Sequence, residues 1–388
     1  MIRKGLPILV ALSLISGLLV VTACGGMRAA GRHRPTARTP SSDGPGSGDA
    51  RTPDSNPDGQ ADSGSVSRQM ASTGTELWLH GGGYDFRRSA DAGATGIRII
   101  YDLRRPLPMK KFVAAMRDMN RRNMGLALTV RWKDPDHSGG QNKTDTPPTA
   151  AEKAQGIDLL LRLLTTPEAA EMGERLWVQF YNEIVAGAGS IDPSDADGMF
   201  DFATDAAIRI RREAPTVKIT GPGVSTVAEM NKDMKGLSGL RKDRMALKQR
   251  MLEWAVTYAD AQDLHLHVAT PEEAAHELNR LREELDKIPG GTKTDIVVHE
   301  WSPSRYTDRS DTRGIQRAIQ GIWDAMADAD VIYAAYGSLI PAKWGGNRFG
   351  WQALLDDKGQ PNEPFYSTFK TLSETKAAQP EVKKNSGQ

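Results

Sequence analysis

Two apolar runs in this 388-residue chain end on glutamates: Trp177-Val178-Gln179-Phe180-Tyr181-Asn182-Glu183 and Val297-Val298-His299-Glu300, the latter followed by Trp301. A carboxylate among apolar and aromatic neighbours is costly to bury ionised, so each position needs a partner charge or a raised pKa. Cleavage of a glycosidic bond uses one carboxyl group of each kind. A carboxylic acid protonates the leaving oxygen, and an ionised carboxylate attacks or activates water. Further polar groups sit at comparable places. His265 and His267 are two apart in Leu264-His265-Leu266-His267, so alternation puts both imidazoles on one face of a strand. Arg98 lies in the run Gly96-Ile97-Arg98-Ile99. These three suit a reactive site and, equally, a polar layer inside a sheet. Trp132, Trp301, Trp344 and Trp351 fall at or beyond the ends of apolar runs, where aromatic faces fit the apolar faces of pyranose rings.

The elements that must hold these groups recur in a regular order after residue 75. Eight strand candidates, Glu76–His80, Gly96–Tyr101, Gly125–Trp132, Leu176–Asn182, Val217–Gly221, Asp263–Val268, Asp295–Trp301 and Val331–Tyr336, alternate with amphipathic stretches. Several are continuously apolar, as expected of parallel strands covered on both faces. Thr149 with Glu152 and Thr270 with Glu273 have the spacing of helix capping boxes, and Pro271 fits a first helical position. Ala274, Leu278, Leu281, Leu285 and Ile288 form one apolar stripe, and Ile315, Ile319, Ile322 and Met326 form another. Eight such units in about 300 residues predict an α/β fold, a (β/α)8 TIM barrel over residues 73–376. In that architecture reactive groups gather at the C-terminal ends of the strands.

Ahead of the barrel, residues 1–23 read as a signal peptide: Arg3 and Lys4, an apolar run from Leu6 to Val21, then Ala23 before Cys24. Val21-Thr22-Ala23-Cys24 resembles the lipobox of bacterial lipoproteins, which implies lipidation of Cys24 and a membrane-anchored, extracytoplasmic protein of the cell envelope. Cys24 is the single cysteine, so a cysteine nucleophile or a Cys-based zinc site within the barrel is excluded. From 24 to 72 the chain is rich in Gly, Pro, Ser, Asp and Arg, with too little apolar surface to offset the entropy of ordering; it predicts a disordered tether. Residues 377–388 predict a flexible tail. With 50 basic and 49 acidic side chains the net charge is +1, which argues against nucleic acid as a partner.

The strand ends resemble those of the clan A glycoside hydrolases, retaining barrel enzymes in which an Asn-Glu pair ends strand four and a Glu ends strand seven. The surroundings of Glu300-Trp301-Ser302 are most similar to family 39 of that clan. The resemblance covers about 300 residues. It implies Glu183 as acid/base, Glu300 as nucleophile, and a carbohydrate substrate held by Arg98, Asn182, His265, His267, Trp301 and Trp344, with no cofactor or metal. Two positions depart from the clan's pattern: Ile184 stands where Pro is common, and His267 where Tyr is common.

Two other functions fit parts of the pattern. His80, His265 and His267 with Glu300 could bind a metal in a metal-dependent barrel hydrolase. A carbohydrate-binding surface lipoprotein without catalysis needs only the aromatic and polar groups. His80-Gly81-Gly82-Gly83 resembles the oxyanion segment of esterases, yet the chain has no Gly-x-Ser-x-Gly elbow to supply their nucleophile; the glycines suit a tight turn after strand one.

Overall fold

The computed structural model describes residues 74–80, 86–133, 145–183, 193–225, 239–304, 306, 308–339 and 351–378. The leader, Cys24, the tether, Gly81 to Gly83, Ile184, Trp344 and residues 379–388 lie outside the described residues.

Eight parallel strands close into a barrel. They are Glu76–His80, Gly96–Asp102, Gly125–Arg131, Leu176–Phe180, a fifth strand in two pieces (Lys218–Thr220 and Val224–Ser225), Ala261–His267, Asp295–Ser302 and Tyr333–Tyr336. Each pairs with its neighbours in sequence, and the first strand pairs with the eighth through Glu76↔Tyr333. Closure on the other side runs through both pieces of the fifth strand, with Thr220↔Ala261 and Val224↔Leu264. The described helices are α1 (Phe86–Asp91), α2 (Met109–Arg121), α3 (Ala150–Leu164), α4 (Pro167–Met172), α5 (Ala196–Glu213), α6 (Gly239–Tyr258), α7 (Pro271–Asp286), α8 (Thr312–Asp328) and α9 (Phe365–Ala378). None is long and apolar enough to cross a membrane.

The caps form as their spacing predicts. Thr149 and Glu152 make a reciprocal capping box at α3. At α7 the Thr270 hydroxyl accepts from the Glu273 amide, while the Glu273 carboxylate takes the amide of Ala269 instead of Thr270. The predicted stripes on α7 and α8 are buried, apart from half-buried Ile288 just beyond α7.

Strand alternation divides the core in two. Residues such as Leu77, Ile97, Leu126, Val178 and Leu264 point out into the layer between barrel and helices. Trp78, Ala127, Trp177, Ala261, Val297, Tyr333 and Ala335 form a second cluster that fills the lumen. Trp78 stacks on Tyr333 with ring centroids 3.9 Å apart. The indole fits because its neighbours in register are glycines: a Cβ on Gly96 or Gly125 would lie 2.2 Å from it. This aromatic floor supports a polar layer of Arg98, Thr129, Gln179, Asp263 and His299, all fully buried.

Candidate active site

Both catalytic-type carboxylates reach the mouth of the barrel through a break in strand alternation. On the seventh strand, Asp263↔Val297 and His265↔Glu300 are both in register with the sixth strand, so the seventh spends one extra residue over that span. It does the same against the eighth strand, where Val298 pairs with Ala334 and Trp301 with Tyr336. An extra residue is a β-bulge, and it re-aims the side chains that follow. Strict alternation from lumenal Val297 would send Glu300 outward. The bulge turns His299 and Glu300 inward in succession, with the His299 amide held by Asp263 Oδ1 at 2.9 Å.

The fourth strand uses a different device. Tyr181 follows outward-facing Phe180 and takes the left-handed conformation, φ 64°. That conformation costs a non-glycine residue on the order of 1 kcal/mol. It leaves Tyr181 against Phe202 of α5 and turns both Asn182 and Glu183 into the lumen.

Arg98 is the hub. Its fully buried guanidinium donates to Glu300 Oε1 at 2.6 Å, to His80 Nδ1 at 2.8 Å, to Gln179 Oε1 at 3.0 Å and to Thr129 Oγ1 at 2.8 Å, and it also bonds Asn182 Oδ1. Glu300 is 14% exposed, with His265 and His267 facing its second oxygen at 3.7 and 3.5 Å. Burial acts to raise its carboxyl, but the positive charge of His265 and Arg98 and the neighbouring rings of His80 and His267 hold it well below the usual carboxylate range. Glu300 is therefore ionised.

Glu183 reaches the same space from the other side. Its Oε1 lies 2.8 Å from His265 Nδ1, and His265 Nε2 is 3.0 Å from Asp263 Oδ2. Burial disfavours charge on His265, yet Glu300 and Asp263 outweigh it and raise its pKa to about 10. Buried Asp263 is in turn held below its ordinary value by His299 and His265. Two further rings move the opposite way, because burial lowers His80 to about 3 and lowers His299 too. The site thus holds one imidazolium among the carboxyl groups of Asp263, Glu183 and Glu300 and keeps His80 and His299 neutral. Gly223, at the break in the fifth strand, makes room for this pair; a Cβ there would lie 2.8 Å from both Asp263 Oδ2 and His265 Nε2.

The structure therefore brings Arg98, Asn182, Glu183, His265, His267 and Glu300 together. Trp301 is a correction. It follows the bulge outward, is fully buried beside Trp323 of α8 and Tyr336, and offers no face to a ligand. Trp344 lies outside the described residues. The sequence reading missed Asp263, Gln179, Thr129, His299, Ser302 and Gln352. Asp263 carried a usable signal, since it precedes His265 by two and so shares its face.

One ligand atom from each of Glu183, His265, His267 and Glu300 lies within 4.8 Å of the others, a set whose donor types suit a divalent metal. A cation there would compete with the Arg98 guanidinium for Glu300 and would have to displace the proton that His265 holds up to about pH 10. His80 is not in this set, although its Nε2 lies 3.5 Å from Glu300 Oε1.

No protein-family model and no curated protein matches the chain. Solved structures do. A glucosidase from Croceicoccus marinus superposes with 14% identity over 79% of this chain and 68% of that one, with a TM-score of 0.56. The catalytic domain of a hyperthermophilic chitinase from Pyrococcus furiosus (13% identity, 78% and 95% covered, TM-score 0.49) and xylanase 10B from Thermotoga maritima (12%, 79% and 96%, 0.49) also align. At these identities what the chain shares is a fold, the (β/α)8 barrel, which the glucosidase superposition supports.

Proposed function

We propose that this chain is a retaining glycoside hydrolase that cleaves oligo- or polysaccharides, with Glu300 as nucleophile and Glu183 as acid/base. The observation that carries the reading is the pair itself: two carboxylates from opposite sides of one barrel mouth, with an oxygen of each within 4.8 Å of the other and one of them ion-paired to a buried arginine. A retaining pair stands about 5 to 5.5 Å apart, whereas an inverting pair needs roughly 6.5 to 9.5 Å to admit water between carboxylate and sugar. A nearest-oxygen separation within 4.8 Å is compatible with the shorter spacing, and the retaining assignment rests on the resemblance of the two strand ends.

In the first step Glu183 gives its proton to the glycosidic oxygen. Glu300 Oε2, the oxygen not bound to Arg98, forms a bond to the anomeric carbon as the bond to the leaving group breaks. In the second step Glu183 takes a proton from water, whose oxygen displaces Glu300 and restores the configuration. Arg98 anchors Glu300 Oε1 throughout, and Asn182, tied to the same guanidinium, sits beside the reacting sugar.

The family 39-like surroundings of Glu300 and a lipid anchor at Cys24, placing the enzyme on the outer face of a bacterial envelope membrane, belong to the same proposal. The test is a panel of chromogenic aryl glycosides. One sugar class should turn over, and Glu300→Ala should abolish turnover and yield, with azide, a glycosyl azide of inverted configuration. Sugar binding without turnover would instead identify a carbohydrate-binding protein. Activity lost to a chelator, together with bound metal, would identify a metal-dependent hydrolase.

A further inference from the structure

His267 stands where a phenol is common in the resembled clan, and its two nitrogens face different partners. Nε2 is 3.5 Å from Glu300 Oε2, and Nδ1 is 3.1 Å from Ser302 Oγ. Ser302 is fully buried, so its hydroxyl is out of reach of a substrate. The amide of Gln352, also buried, lies 2.8 Å from the same hydroxyl. Gln352 comes from the segment after the eighth strand and is fixed there by a bond from the Tyr336 hydroxyl to its own carbonyl oxygen at 3.0 Å.

We infer that Gln352, Ser302 and His267 form a one-way hydrogen-bond relay that fixes the imidazole tautomer presented to Glu300. The direction follows from the carboxylate end. An ionised carboxylate only accepts, so the nitrogen facing Glu300 must carry hydrogen. In the neutral ring Nδ1 is then bare and must accept, and the group against it is the Ser302 hydroxyl, which spends its single hydrogen there. A hydroxyl that donates to the ring can only accept from its other partner, so the Gln352 NH2 points at it and the Gln352 carbonyl points away. Every hydrogen in the chain then points toward Glu300. Ser302 and Gln352 are positioning residues, since they act on the nucleophile through His267. The bulge supplies the geometry: it sends Glu300 and Ser302 inward from the same strand, placing both against one imidazole.

This inference rests on the proposed role of Glu300 for its catalytic consequence, but the relay itself is read without any substrate. Protein labelled with nitrogen-15 histidine reports the protonation of each ring nitrogen by chemical shift, with the His267→Gln spectrum identifying the His267 pair. The wild type should show hydrogen on Nε2 and a bare Nδ1. Gln352→Glu puts an acceptor against Ser302, turns its hydroxyl around and should add hydrogen at Nδ1 while Nε2 keeps its own; Ser302→Ala, which removes a single oxygen, should leave a mixture of protonation states at Nδ1. With a turned-over aryl glycoside, either variant should lose about tenfold in kcat with little change in KM, the scale of one hydrogen bond at the nucleophile. Hydrogen on Nδ1 in the wild type, or ring signals unchanged by both variants, overturns the relay. The expected signals in a protein inert toward every glycoside would overturn the proposed function and leave the relay standing.

Discussion

Raising the pH above neutrality should strip the proton that joins Asp263, Glu183 and Glu300 through His265. In the folded protein His265 holds that proton to about pH 10, against an ordinary value of 6.5. At about 1.4 kcal/mol per pH unit, the gap amounts to on the order of 5 kcal/mol. The ring is fully buried, so solvent does little to reduce the figure. Between pH 6.5 and about 10 the native state binds one proton more than the unfolded chain, so stability falls as pH rises. The contribution is complete below 6.5 and gone above about 10, a large share of the total for a domain of ordinary stability. Below 6.5 the balance reverses for His80, whose value of about 3 means that the unfolded chain binds the proton the native state refuses, so between 6.5 and about 3 stability is lost as pH falls. Asp145, raised by burial to about 6, works against that acid limb, and on the alkaline limb burial lowers Lys248, an opposing slope that wild type and variant share, so the difference between them is the readout. Urea unfolding of wild type and His265→Gln across pH 6.5 to about 10 measures it. The wild type should lose several kcal/mol and the variant should show a much flatter profile; equal slopes, or wild-type stability that rises with pH, would refute the reasoning.

Glu183→Gln should slow glycosides with poor leaving groups by about 10²- to 10⁴-fold while largely sparing the first step of activated aryl glycosides, and kinetics on a leaving-group series checks it. Gly96→Ala places a methyl group 2.2 Å from the Trp78 indole and should cost about 1–3 kcal/mol in urea unfolding, with no direct effect on the residues at the mouth. Cys24→Ala should move the protein from the membrane fraction to the soluble one, and an unchanged distribution with no acylated N-terminal peptide in the wild type would count against the anchor.

Local chemistry made most of the barrel readable. The Thr149 cap, the α7 and α8 stripes and the eight apolar runs are signals written within a few residues, and each appears where its spacing places it. The fifth strand was harder, since Gly221-Pro222-Gly223 splits it and leaves a three-residue and a two-residue piece. Orientation at the mouth was the illegible part. Alternation assigns faces only while register holds, and the register slips on the seventh strand before Glu300, with Tyr181 flipping the fourth before Glu183. Nothing in Val297-Val298-His299 announces the extra residue; the Trp301 expectation rests on its place at the strand end and on the resemblance, neither of which fixes the face it takes. Gln352 could not be linked to Ser302 from the sequence at all, since the contact spans 50 positions and depends on barrel closure.

Stacked Trp78 and Tyr333, with Trp177 edge-on, make an apolar floor across the lumen. Above it sit a guanidinium, an imidazolium and the carboxylates that balance them, walled in by strands whose own amides are already spent on pairing. Under the proposed function, a sugar bound at the mouth would lie directly over this charged layer. A proton given to a leaving group there would then alter the field felt by every ring and carboxyl group beneath it. The buried network would act as a fixed-charge capacitor under the bond that the proposed reaction breaks.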